Sequence, residues 1–279
     1  MLCPIHSSTE FPKEVAQSEK QRKKRSRARE EPQVPSISKA GQAMSQMWAW
    51  PSGSPCKWVL CCSALTTMEK EIISEFTKLT NVSISKTWSP AVTHVIASTD
   101  ANGACKRTLK FLMGILDGKW ILSIEWVKAC MKAMGPIGEE KFEITVDVHG
   151  ISGGPRSGRM RAINKEPKLF SNLRFYLSGG FMPAYKGYLQ DLIASAGGTI
   201  LQRKPLTRDQ EKLIDNSTTL VTLIIYSLEV PEKLKASDAV FECRLAEAQA
   251  LADACGAKVA ANSWIIESIA ASKLQPLSC

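Results

Sequence analysis

Residues 105–120 read CKRTLKFLMGILDGKW: three cations, Lys106, Arg107 and Lys110, open a run that is otherwise apolar and ends in Gly-Lys-Trp. Cations ordinarily complement the C-terminal end of a helix dipole, and here they crowd the N-terminal end. The spacing raises the question of what negative group would face Lys110. Other side chains able to do chemistry are sparse. The only histidines are His6, His94 and His149, and none is spaced with a Cys or Ser as a nucleophile–base pair. Nine cysteines are scattered along the chain. Cys61 and Cys62 are adjacent, and strand neighbours point to opposite faces, so they are poorly placed to share one metal. Buried free thiols of an intracellular protein are the expectation. GISGGPRSGR is glycine-rich but lacks GxGxxG or P-loop spacing. No catalytic residue and no cofactor are expected, and a nucleotide-binding α/β enzyme ranks third among the readings.

The net charge of +9 is uneven. The first fifty residues hold nine Lys/Arg against five Glu, and most of these cations fall in KQRKKRSRAR, Lys20 to Arg29. Such a run is expected to be solvated, and its composition is that of a nuclear-localisation or nucleic-acid-attracting tail. No apolar run approaches the roughly 18 residues that span a bilayer, so no membrane partner is expected.

The elements that must position these residues begin near Lys57. WVLCC (58–62) suits a buried strand, and Thr66 to Glu69 has capping-box spacing ahead of an amphipathic helix through Leu79. VSISKT (82–87) and THVIAS (93–98) read as strands, followed by the helix after Cys105, strand WILSI (120–124) and a helix through Trp126 and Cys130. The pattern recurs in LRFYLSG (173–179), YLQDLIASAGG (188–198), TILQR (199–203), TTLVTLIIY (218–226), CRLAEAQALADACG (243–256), KVAA (258–261) and NSWIIESIAASK (262–273). SIEWVKACMKA and NSWIIESIAAS place Trp126 and Trp264 alike, so two copies of one α/β unit are the economical reading.

THVI, RTLKFLMGILDGKWILSIEWV, GPRSGRMRAINKEPKLF, FYLSGGF and the second WIIES together resemble a tandem BRCT module of the kind carried by RING-domain proteins. The likeness runs from about Trp58 to the C-terminus and weakens between Lys204 and Glu242. MLCPIHSS resembles the end of an extended PHD finger, with Cys3 and His6 as its last zinc ligands, as in plant members of this kind. Two ligands do not complete the tetrahedral site of structural zinc, so no metal is expected, and the chain reads as a fragment of a longer protein or a truncated gene product. The resemblance divides it into a disordered basic linker with that finger remnant (1–55), a first repeat (56–149), a connection (150–166) and a second repeat (167–279). Each repeat is expected to be a small four-stranded parallel sheet flanked by helices.

The resemblance also implies a phosphoserine-peptide site. Ser63 would offer a hydroxyl, Ala64 a main-chain N–H, Lys110 the cation, and Thr108 a second hydroxyl or an orienting group. The family commonly has Gly where this chain has Ala64, which does not adopt φ > 0 cheaply. By alignment a peptide groove between repeats would be lined by Arg107, Leu112, Ala184, Asn262 and Ile266. Familiar members carry bulkier side chains at the places of Leu112 and Ala184, so no preference for phenylalanine is assumed. Trp126 and Trp264 would be structural core. The expected partner is a phosphoserine-containing nuclear protein in DNA-damage signalling and repair. A scaffold that engages nucleosomes or ubiquitinated histone without phosphate, or serves transcription, is the alternative. Nucleic acid could engage the 20–29 tail.

Overall fold

The computed structural model describes residues 48, 57–205, 220–229 and 238–277. The basic run at 20–29 and the finger-like Cys3 and His6 lie outside the described residues.

The first unit runs β1 (Val59–Ser63), α1 (Thr67–Thr80), β2 (Ser83–Ser85), β3 (His94–Ala97), β4 (Ala104–Cys105), α2 (Leu109–Leu116), β5 (Trp120–Ser123) and α3 (Ile124–Ala133). Its sheet has the order β2-β1-β3-β5 with every pairing parallel. The second unit runs β7 (Leu173–Ser178), α5 (Pro183–Ser195), β8 (Thr199–Ile200), β9 (Val221–Tyr226), α6 (Asp238–Cys255), β10 (Lys258–Ala261) and α7 (Asn262–Ala270). Its sheet, β10-β9-β7-β8, is also parallel and has the same internal order. The expected pair of four-stranded parallel repeats is what the chain forms.

Parallel strands are covered on both faces, which is why they read as continuous apolar runs rather than alternating ones. One face of the first sheet packs Leu60, Ile96 and Leu122 against Ile73 and Phe76 of α1 and Trp126, Val127 and Cys130 of α3. The other face, Cys61, Val95 and Ile121, meets α2. The same core continues through Phe111, Leu112 and Ile115 into Leu189 and Ile193 of α5 and Ile265 and Ile269 of α7. Helix α2 is thus shared by the first sheet and the second repeat. The outer face of the second sheet is closed by α6, through Ala248, Leu251 and Ala252. Trp126 is fully buried and Trp264 nearly so. Each indole donates to a carbonyl eleven residues on, Ile137 at 2.9 Å and Gln275 at 2.8 Å, so the two units repeat even this detail.

The capping box forms as spaced: Glu69 N donates to Thr66 Oγ1 and Thr66 N to Glu69 Oε2. The connection differs from the expected glycine-rich linker. Residues Gly154–Ile163 form a helix, α4, and Val146–Asp147 a short strand, β6, paired with β4. The glycines that argue against a helix are what allow this one to pack. A Cβ on Gly154 would lie 1.7 Å from the Ala270 carbonyl oxygen, and one on Gly158 2.2 Å from that of Ile115. Close approach to α2 and α7 therefore outweighs the roughly 1 kcal/mol propensity cost of each glycine. Arg159 fastens the outer side, bidentate to Glu143 and 3.6 Å above the Trp120 ring.

Candidate functional site

Of the three cations that open residues 105–120, only Lys110 lies inside the helix. Lys106 and Arg107 precede it, and Thr108 is the N-cap, its hydroxyl accepting from Phe111 N at 3.2 Å. Lys110 turns back toward the first strand and donates its ammonium to the Cys62 carbonyl at 3.0 Å. One residue further, Ser63 is 2% exposed, and its Oγ shares a hydrogen with Thr108 Oγ1 at 2.6 Å. The ends of β1 and the start of α2 therefore bring Ser63, Thr108 and Lys110 to one place across 45 residues of sequence.

Ala64 follows at φ +52° and is exposed. This is the left-handed region that favours glycine. The turn aims the chain from the strand end into the N-terminus of α1, where unpaired amides and the dipole favour an anion. The second repeat keeps glycine at the matching place: Ser178 ends β7 and Gly179 follows at φ +84°. Behind the site, burial pushes the Cys62 thiol up to about 11, against the pull of Lys110 and Lys70, so it stays neutral. Glu69, the nearest acid in the sequence, is held by its own cap and by Ser98 Oγ at 3.1 Å.

The groove candidates are divided. Arg107 is clamped by Asp147 in a two-pronged ion pair, both side chains under a tenth exposed. Asp147 Oδ1 also accepts from His149 N and Ile151 N, so it ties the connection to the start of α2. Leu112 is fully buried in the core shared by the repeats and offers no open wall, and Ile266 packs half-buried against the same core. Ala184 is exposed in the first turn of α5. Asn262 is buried, donating to Tyr185 Oη and accepting from Leu228 N, both at 2.7 Å. Sequence reasoning missed Asp147, Tyr185, Tyr188 and Glu229. Only the tyrosines carried a signal, their three-residue spacing in the opening turns of an apolar helix. Among the described residues no cluster of His, Cys, Asp and Glu could hold a metal ion.

Residues 57–131 match the BRCA1 C Terminus (BRCT) domain family. The chain is 47% identical over 97% of its length to the protein BREAST CANCER SUSCEPTIBILITY 1 homolog of Arabidopsis thaliana, and 40% identical over 99% to BRCA1-associated RING domain protein 1 of the same plant. It is 38% identical over 53% of its length to the human BRCA1-associated RING domain protein 1. It spans only 28%, 38% and 18% of these three relatives. In fold it is similar to the crystal structure of the S. pombe Brc1 BRCT5-BRCT6 domains, with a TM-score of 0.50 at 15% identity, over 79% of this chain and 95% of that one.

Proposed function

Because this chain belongs to the BRCT family, as a tandem pair related to plant homologues of the breast-cancer susceptibility protein and its RING-domain partner, we propose that it is a phosphoserine-peptide reader. It would act in the nucleus, in the response to DNA damage. The observation that carries the reading is the convergence of the Ser63 hydroxyl, the Thr108 hydroxyl and the Lys110 ammonium at the mouth of α1 and α2.

A phosphoserine carries about −1.5 to −2 charges and three strong acceptor oxygens. Ser63 Oγ–H and the Ala64 amide would each donate to one oxygen, with Thr108 holding the serine rotamer from behind. Lys110 has three N–H groups and spends one on the Cys62 carbonyl, which leaves two for the phosphate. That carbonyl also answers the question raised by the sequence. It holds the ammonium at the positive end of its helix, so the charge stands ready before a ligand arrives. Nothing in this arrangement serves bond-making; its chemistry is recognition.

The test is a titration of matched phosphorylated and unphosphorylated serine-peptide libraries, read by fluorescence polarisation. Lys110→Met should weaken phosphopeptide binding by more than about tenfold, since a hydrogen bond to a charged group is worth roughly 1.5–3 kcal/mol, and should leave the melting temperature in place. Tight phosphopeptide binding by that variant would remove the proposal. Binding to unphosphorylated nucleosomes, indifferent to Lys110→Met and lost on altering the second repeat, would replace it with a scaffold role. By relation to RING-domain proteins, the reader would deliver a ubiquitin-ligase complex to phosphorylated chromatin proteins in the full-length molecule.

A further inference from the structure

We infer that the second repeat reads a basic residue, Lys or Arg, in the same peptide, through a ladder of aromatic rings backed by Glu229; the inference rests on the phosphoserine reading above. Phe181 just precedes α5 and Tyr185 and Tyr188 lie in its opening turns, all half-buried. Phe181 and Tyr185 stack at 6.4 Å between centroids and 28° between planes, and Tyr185 and Tyr188 at 5.8 Å and 17°. One end of the ladder faces the first repeat, since Tyr188 packs against the shared core that holds Phe111 and Leu112 of α2. In the middle of the ladder, Tyr185 takes a hydrogen bond from Asn262 and lies within the field of Glu229. An extended peptide anchored by its phosphate at Ser63 and Lys110 would cross these rings on leaving the first repeat.

Glu229 supplies the second half of the argument. Its Oε2 accepts from Met182 N at 3.3 Å, at the N-cap of α5. Its Oε1 is buried and has no hydrogen-bond partner among the described residues. Arg244, close by, gives its Nη1 to the carbonyls of Ser227 and Glu229, at 2.8 and 2.7 Å. Burial holds the Glu229 carboxyl above its ordinary range, against the opposing pull of the Met182 amide, Arg244 and the Ser227 hydroxyl. A carboxylate oxygen without a donor costs free energy until one is provided. Electron-rich ring faces attract a cation, most strongly where water is excluded. A lysine ammonium or arginine guanidinium meets both demands. An aliphatic or phenyl side chain would fill space and leave Oε1 unanswered. Ala184, exposed beside Tyr185, leaves room for a long side chain to enter.

The experiment scans one lysine through the four positions after phosphoserine in an alanine peptide, against the whole chain. Alanine, phenylalanine and norleucine versions serve as references. The chain carries +9 and repels basic peptides in general, so any gain confined to one position is local in origin. We expect one position at which lysine binds about tenfold tighter than alanine, the size of a cation held by rings and a carboxylate. Norleucine, of similar length without the charge, should lose that gain. Glu229→Gln and Tyr185→Leu should each bring the lysine-to-alanine ratio close to one. The ratio is taken within each protein, so partial loss of fold does not imitate the result, and the norleucine comparison needs no variant at all. Phosphate-dependent binding with no basic preference at any position, or a preference that survives Glu229→Gln, overturns this inference and leaves the phosphate reader standing. Equal binding of phosphorylated and unphosphorylated peptides would bring down both.

Discussion

Ala64→Gly should stabilise the protein. Ala64 stands at φ +52° with its methyl in solvent, so the substitution removes no packing. An L-residue in the left-handed region costs roughly 1–2 kcal/mol, because Cβ crowds the following carbonyl oxygen. Glycine escapes that cost but loses more backbone freedom on folding, worth about 0.4–1 kcal/mol. The difference leaves a net gain of about 0.5–1 kcal/mol. In a domain of 150–250 residues each kcal/mol moves the melting temperature by about 2–4 °C, so a rise of about 1–4 °C is expected. Ala64→Val runs the argument in reverse, since a β-branched side chain at positive φ is a worse fit than alanine. The series Gly, Ala, Val should therefore melt in descending order. Differential scanning calorimetry or a urea titration reads it directly. Phosphopeptide affinity should vary far less across the series, because every member presents the same amide. A Gly variant that melts below the parent, or a Val variant that melts with it, would mean that the turn after β1 is not left-handed, and the placement of the Ala64 amide would fall with it.

Two further outcomes test the frame around the site. Asp147→Ala removes the carboxylate that clamps Arg107, leaving a guanidinium 9% exposed without its partner. Breaking a buried pair from one side costs about 3–5 kcal/mol, which urea unfolding would resolve, and a loss under about 1 kcal/mol would show the pair to be incidental. Glu139 is held below the ordinary glutamate range, chiefly by its hydrogen bond from His94 Nε2 at 3.4 Å. A depressed carboxyl stabilises the fold above its unfolded value and loses that contribution as pH falls through the folded one. Stability should thus decline as acid titrates Glu139, and the decline should be shallower in Glu139→Gln when unfolding free energy is followed against pH.

Much of the fold was readable because its signals are local. The capping box at Thr66 and Glu69, the short apolar runs that became β1, β3, β5 and β9, and the two tryptophans all act within a few residues of themselves. Helix α4 was not readable, since its glycines are disfavoured locally and rewarded only by carbonyls of Ile115 and Ala270 that lie far off in the chain. Helix α5 begins at Pro183, five residues before the expected start, because Pro fits a first helical position while Gly187 obscures the period behind it. In the site, Ser63, Thr108 and Lys110 could be named from a resemblance to known sequences. Their meeting, too, was expected only through that resemblance and not from any local signal, because it depends on the Lys110–Cys62 and Ser63–Thr108 bonds that span 48 and 45 residues. Glu229 and Asp147 were invisible for the same reason: a lone acid in a sequence carries no mark of what it will face.

Helix α2 joins these results into one physical statement. Its first turn carries Thr108 and Lys110, while Phe111, Leu112 and Ile115 on the same short helix are fully buried in the core shared by both repeats. An eight-residue helix has too few turns to hold itself and takes its stability from packing. The position of the Lys110 ammonium is therefore set by α5, α7 and α4 as much as by the first sheet. A change at the seam, such as a methyl on Gly158 that would press on the Ile115 carbonyl, should move the cation without touching the peptide. If the proposed reading holds, separating the second repeat should abolish phosphopeptide binding even where that repeat makes no contact with phosphate, because it fixes the helix on which the charge is mounted.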